Sequence, residues 1–179
     1  MSFLDLARRR QSDRGYSAEQ VERIRVERCL EAASLAPSAC NSQPWFFVVV
    51  DEPALRDAVA DALRDLVMNR FARSAPVLVA VVAEEPALVP RLGGLIKDKP
   101  YYLMDIGAAV ENFCLQAADE GLGTCLIGWF DEKRVKELLV IPKKKRVPLV
   151  IALGHPLDPA TRPKSRKGRE ETWSYNRYP

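Results

Sequence analysis

The chain has 179 residues, 47% of them apolar and 28% charged, with a formal net charge of +3. That length suits one domain with its own core, and the charge is too mild to imply a nucleic-acid partner by itself. A single histidine, His155, excludes a metal site built on several histidines. A Ser-His-Asp or Cys-His mechanism would have to run through Gly154-His155-Pro156, which reads more simply as a surface turn. The four cysteines, at 29, 40, 114 and 125, form no C-x-x-C pair and no zinc-like spacing. No stretch approaches the roughly 20 apolar residues of a membrane span. The opening Met-Ser-Phe-Leu-Asp-Leu, followed by arginines, lacks the apolar run of a cleavable signal. The expectation is a cytoplasmic protein with free thiols.

In chain order, residues 3–10 predict a short helix ending in Arg8-Arg9-Arg10. Arg10, Ser12 and Arg14 then alternate, so in an extended segment they point the same way. Two guanidiniums and a hydroxyl suit a phosphate, whose oxygens guanidinium binds bidentately. A solvated basic face is the simpler alternative. Ser17-Ala18-Glu19-Gln20 has capping-box spacing and predicts a long helix to about Leu35.

Pro37 stops that pattern, and a strand starts near Trp45. Between them Ser38, Ala39, Cys40, Asn41, Ser42 and Gln43 form a polar loop without charge, stiffened by Pro37 and Pro44. Its hydroxyls and amides suit a flat neutral heterocycle. By composition alone an ordinary helix-to-strand connection is the simpler reading. Strand 45–50 follows, then a helix from Pro53 to about Asn69, marked by Leu55, Val59, Leu63, Leu66 and Val67. Arg70 and Arg73 come after it. Residues 77–83 are a β-branched run suited to a strand covered on both faces.

Residues 84–100, with four prolines and Gly93-Gly94, predict a loop. Residues 101–120 predict a helix apolar nearly all round, which a chain of this size seldom buries alone. A subunit interface is therefore expected along it. Glycines 121 and 123 end it, 124–129 predict a strand, and Asp131 caps a helix at about 132–139. The G-x-G precedes a strand, so it is no dinucleotide fingerprint. Ile141-Pro142 ends the helix, and strand 147–153 follows a lysine run. The basic tail from Arg162 to Arg169 resembles a nucleic-acid arm only in charge.

P-S-x-x-N-x-Q-P-W before an apolar strand resembles the flavin-site loop of the nitroreductase family of FMN-dependent NAD(P)H oxidoreductases. Four further stretches, in family order, carry the same likeness. Arg10, Ser12 and Arg14 match an R-x-S-x-R/K motif that holds the FMN phosphate, and Gln11 between them would meet the flavin through its main chain. Asn69, Arg70 and Arg73 fall where the family puts an Asn or a basic residue beside the flavin, which makes Arg70 and Arg73 candidate contacts. Residues 121–128 match G-x-G-T-x-x-I-G, which implies flavin contacts from Leu126, Ile127, Gly128 and Trp129 through main-chain N–H groups. Gly128 would let the backbone approach the ring. Lys164 and Arg166 match a C-terminal K-x-R that returns to the phosphate. From the central loop the resemblance implies Pro37, Ser38, Ala39, Asn41 and Gln43 as cofactor contacts.

The resemblance implies an α+β nitroreductase-like fold over residues 1–179. It has a mixed, mainly antiparallel sheet of four or five strands flanked by helices, in an intertwined homodimer. Residues 162–179 would be an extension reaching the FMN phosphate and the partner subunit. The implied activity is ping-pong hydride transfer from NADH or NADPH to FMN, then to nitroaromatic, quinone or similar small acceptors. No side chain is assigned as catalytic, since the flavin performs the chemistry. Reductive dehalogenation or flavin chemistry on the same fold is the alternative. A nucleic-acid-binding module using the tail, and a thiol enzyme using Cys40 without a nearby histidine, are further readings.

Overall fold

Four strands carry the architecture of the protein, seen here in a computed structural model that describes residues 2–64, 68–84 and 99–179. In chain order they are β1 (Trp45–Val50), β2 (Val77–Ala83), β3 (Gly123–Ile127) and β4 (Arg146–Gly154). The sheet order is β1-β2-β4-β3, and every neighbouring pair is antiparallel. All seven residues of β2 are buried. That follows from its central place, with partners on both edges and helices on both faces, and explains its unbroken apolar run.

Alternation along β2 divides the core. Leu78, Ala80 and Val82 face one layer, with Val59 and Leu63 of α3 (Pro53–Leu63) and Val135 of a short helix, Glu132–Leu138. Val77, Val79 and Val81 face the other layer. There they meet Ile106, Val110 and Phe113 of a long helix, Tyr101–Asp119, and Val26, Cys29 and Ala33 of α2 (Arg23–Ser34). We label the long helix α4 and the short one α5; α1 spans Phe3–Arg9. Burial pushes the Cys29 thiol up to about 12 and the Cys114 thiol up to about 11, so both stay protonated packing groups.

Local chemistry accounts for the helix starts. Ser2 and Asp5 form a reciprocal capping box on α1. The Glu52 carboxylate accepts from Ala54 N and Leu55 N, with Pro53 in the first turn of α3. Asp131 accepts from Arg134 N to start α5.

Two predicted boundaries are corrected. Helix α2 begins at Arg23 rather than near Ser17. Ser17 N donates to the His155 carbonyl and Tyr16 bridges Pro156, so this stretch is held extended against the chain after β4. The Ser17 hydroxyl accepts from Glu19 N instead of capping a helix. Helix α3 ends at Leu63 rather than Asn69, since Arg64 is extended. Leu66 and Val67 of the predicted periodicity lie outside the described residues, as does most of the predicted 84–100 loop. Along α4, Leu103 and Met104 are exposed. No described helix is long and apolar enough to cross a membrane.

Candidate flavin site

The site is built on the sheet edge at β3. The segment before Arg14 lies along that edge: Ser12 forms a parallel bridge with Thr124, and Asp13 N donates to the Thr124 carbonyl at 2.8 Å. Asp13 turns inward and is buried. A Cβ on Gly123 would lie 2.7 Å from its Oδ2, so the second glycine of the G-x-G is the space that Asp13 fills. Burial raises the Asp13 carboxyl above its ordinary value, opposed by the Arg162 charge and a hydrogen bond from Gln11.

With Asp13 turned inward, Arg14 faces outward onto a cleft of about 540 Å³. Residues 68–71 form one wall and residues 125–129, the end of β3 and the turn after it, form the other. A Cβ added to Gly128 would meet nothing within 4 Å. Leu126 and Trp129 are exposed there. The cleft volume lies in the range of small-molecule sites. Burial raises the pKa of the Cys125 thiol, which therefore lines the cleft as a neutral group.

Beside this cleft the C-terminal chain is strapped to residues 10–13. The Gln11 amide donates to Asp13 Oδ1 and to the Ala160 carbonyl, and its Oε1 accepts from Arg162 N at 3.0 Å. The Arg162 guanidinium donates to the Ser12 carbonyl, and the Lys164 ammonium to the Arg10 carbonyl. Burial depresses the Lys164 pKa, and the like charges of Arg10, Arg166 and Arg162 add to the effect. The Glu111 carboxylate acts the other way on Lys164.

Of the residues expected at the site, Arg14, Arg70, Leu126, Ile127, Gly128 and Trp129 line one cleft. Arg10, Ser12, Lys164 and Arg166 do not line it: Ser12 pairs with Thr124, Lys164 donates to the Arg10 carbonyl, and Arg166 Nη1 donates to the Ser165 carbonyl. Arg10 also ion-pairs with Glu111 of α4 at 3.1 Å. The side chain of Gln11 holds the tail. Arg73 is drawn away by Asp61 at 2.6 Å. Pro37, Ser38, Ala39, Asn41 and Gln43 do not line this cleft. Their loop is tied by Ala39 N to Asp105 Oδ2 and by Gln43 N to the Ser38 hydroxyl. Cys40, Asn41 and Gln43 all have left-handed φ, at 52°, 53° and 45°.

Sequence reasoning missed Asp13, Asp105, Glu111 and Arg162. Asp13 carried one usable signal, an acid set inside a basic alternating run. Glu111 and Asp105 carried none, because their partners are 101 and 66 residues away.

The sequence model of the nitroreductase family matches residues 7–155. The chain belongs to that family. It is 33% identical over 153 residues to a protein of Archaeoglobus fulgidus provisionally named NADH dehydrogenase/NAD(P)H nitroreductase, covering 83% of this chain and 82% of the other. It is 27% identical to an oxygen-insensitive NADPH nitroreductase of Helicobacter pylori, covering 97% of this chain and all of that one. The solved FMN-dependent nitroreductase of Clostridium difficile superposes with a TM-score of 0.80 at 23% identity, covering 98% and 99% of the two chains. At that identity the last likeness is one of fold. This nitroreductase-family protein is thus an oxidoreductase on the fold of its relatives.

Proposed function

We propose that this protein uses FMN to take a hydride from NADH or NADPH and pass the electrons to small acceptors such as nitroaromatics or quinones, one substrate leaving before the next arrives. The observation that carries this reading is the 540 Å³ cleft, which joins Arg14 and Arg70 to the main chain of residues 126–129. The donor set fits FMN in kind. A ring needs a slot with main-chain donors and a close backbone approach, and the turn at Gly128 leaves that space open. A phosphate needs converging cations, and Arg10, Lys164 and Arg166 come near one another, with Glu111 paired to Arg10 at 3.1 Å.

When bound, FMN supplies a ring that accepts and releases hydride, chemistry that no side chain here provides. The residues do the rest. Arg14, with Arg10 and Ser12, would hold the phosphate end. The peptide groups of residues 126–129 would face the ring and favour charge developing on it. Trp129 and Leu126 would cover it from water. Pro37, Ser38, Ala39, Asn41 and Gln43 would serve the cleft of a second copy of the chain. A homodimer with shared sites thus belongs to the same reading, together with a cytoplasmic location.

A visible spectrum tests it. Purified protein supplied with FMN is expected to show bound-flavin bands that bleach on anaerobic NADH or NADPH and return with a nitroaromatic or quinone. A colourless preparation that takes up no added FMN overturns the reading.

A further inference from the structure

The loop at residues 38–43 closes on one peptide. The Ser38 carbonyl accepts from Asn41 N at 3.0 Å, and the Ala39 carbonyl accepts from Ser42 N at 3.1 Å. The Ser38 hydroxyl accepts from Gln43 N at 2.9 Å. Residues 38 and 39 thus hold the acceptors that shape the turn. The Ala39 N–H leaves the loop and donates to Asp105 Oδ2 at 3.1 Å. Among the described residues this is the one hydrogen bond that joins 38–43 to a distant part of the chain. Asp105 stands on α4 beside Ile106, which is buried in the core layer under that helix, so the acceptor is carried by a fixed element.

We infer that Asp105 is a positioning residue. Through Ala39 N it sets the Ser38–Ala39 peptide, and with it the aim of the Asn41 and Gln43 side chains toward the flavin cleft of a second copy. It acts through the loop rather than by touching the reacting atoms. This rests on the reading that loop 38–43 serves that cleft. The internal bonds fix the loop's shape, but they move with it. Ala36 and Pro44 are buried and hold the two ends. What sets the tilt between those ends is the bond to α4. A carboxylate suits the task, since an ionised acceptor makes the stronger bond to a main-chain N–H. The left-handed φ of Cys40, Asn41 and Gln43 leaves the loop little conformational preference of its own to fall back on. Binding groups that are displaced lose much of their effect on the ligand they orient.

Two substitutions remove the bond from opposite sides. Asp105→Ala deletes the acceptor. Ala39→Pro deletes the donor: Ala39 opens a short helical turn and follows extended Ser38, a place that proline fits. Asp105→Asn keeps an acceptor oxygen. Each full-length variant, and the double variant of Asp105→Ala with Ala39→Pro, is compared with wild type for FMN dissociation constant, midpoint potential of bound FMN and melting temperature. Both deletions are expected to weaken FMN binding about tenfold and to shift the potential, while Asp105→Asn stays within about threefold of wild type. The double variant should bind no more weakly than the weaker single one, because one bond is lost only once. A merely structural role would lower the melting temperature and leave affinity and potential unchanged, which would overturn the inference. Losses that add in the double variant, or Asp105→Asn as weak as Asp105→Ala, would overturn it as well. If Asp105→Ala does not fold, Ala39→Pro and Asp105→Asn decide. Wild-type protein that binds no FMN removes the flavin reading and this inference together. Wild type that binds FMN while both deletions match it removes this inference alone.

Discussion

Residues 10–14 and residues 38–43 both came forward as cofactor loops, yet the fold treats them differently. The first is fastened to the rest of the chain by main-chain pairing with Thr124, by the buried Asp13 and by the strap from residues 160–164. The second is bonded to itself and to Asp105, with three non-glycine residues left-handed in four positions. One region is preorganised by pairing with distant chain, and the other holds left-handed residues with bonds that are mostly its own. Strain of that kind collects where function asks for it.

The largest expected effect breaks the fastened region at its ligand. Arg14→Ala should weaken FMN binding about 30-fold, or about 2 kcal/mol, the scale of one charge-assisted hydrogen bond. Calorimetric titration with FMN would show it. An unchanged affinity would mean that Arg14 lines the cleft without serving it.

Gly123→Ala tests the same region from beneath. The new Cβ would meet backbone-anchored Asp13 atoms at 2.7 to 3.0 Å, so either Asp13 or β3 must move. A loss of about 2 kcal/mol in urea unfolding is expected. A neutral result would show that Asp13 is not the lock between the two segments.

The strained loop should respond with the opposite sign. Cys40→Gly relieves a left-handed residue that is exposed. It should stabilise the protein by about 1 kcal/mol in the same unfolding assay. Destabilisation would mean that the Cys40 side chain makes contacts in the folded assembly.

The smallest effect is a pH slope. The folded Asp13 pKa is raised above its ordinary 3.8, chiefly by burial. Its contribution to stability is therefore fully present below 3.8 and is lost as pH rises through the folded value. Asn at 13 does not ionise. Melting temperatures of Asp13→Asn and wild type should thus diverge between strongly acid and neutral pH, with the variant gaining relative to wild type as pH rises. Parallel curves would show that Asp13 is solvated.

Much of the fold was legible because it is written in local periods. The β-branched run at 77–83 suited a strand covered on both faces, and Asp131 and Pro53 marked helix starts by chemistry that acts within one turn. The misreadings came where distant chain intervened. Ser17 had capping-box spacing, yet it lost its cap to a pairing with His155, a residue 138 positions later in a segment no local pattern connects to it.

By itself the sequence determined the alternation of strands and helices, the basic run at 10–14 and the glycine turn before Thr124, because each depends on residues within a few positions. Only the tertiary structure decided that Arg14 and Arg70 share a cleft, that Gln11 and Arg162 strap the tail, and that Asp13 fills the space left by Gly123. Those contacts join segments up to 151 residues apart. Nothing in a local pattern encodes them, since they exist only once the sheet has set the distance between its edges.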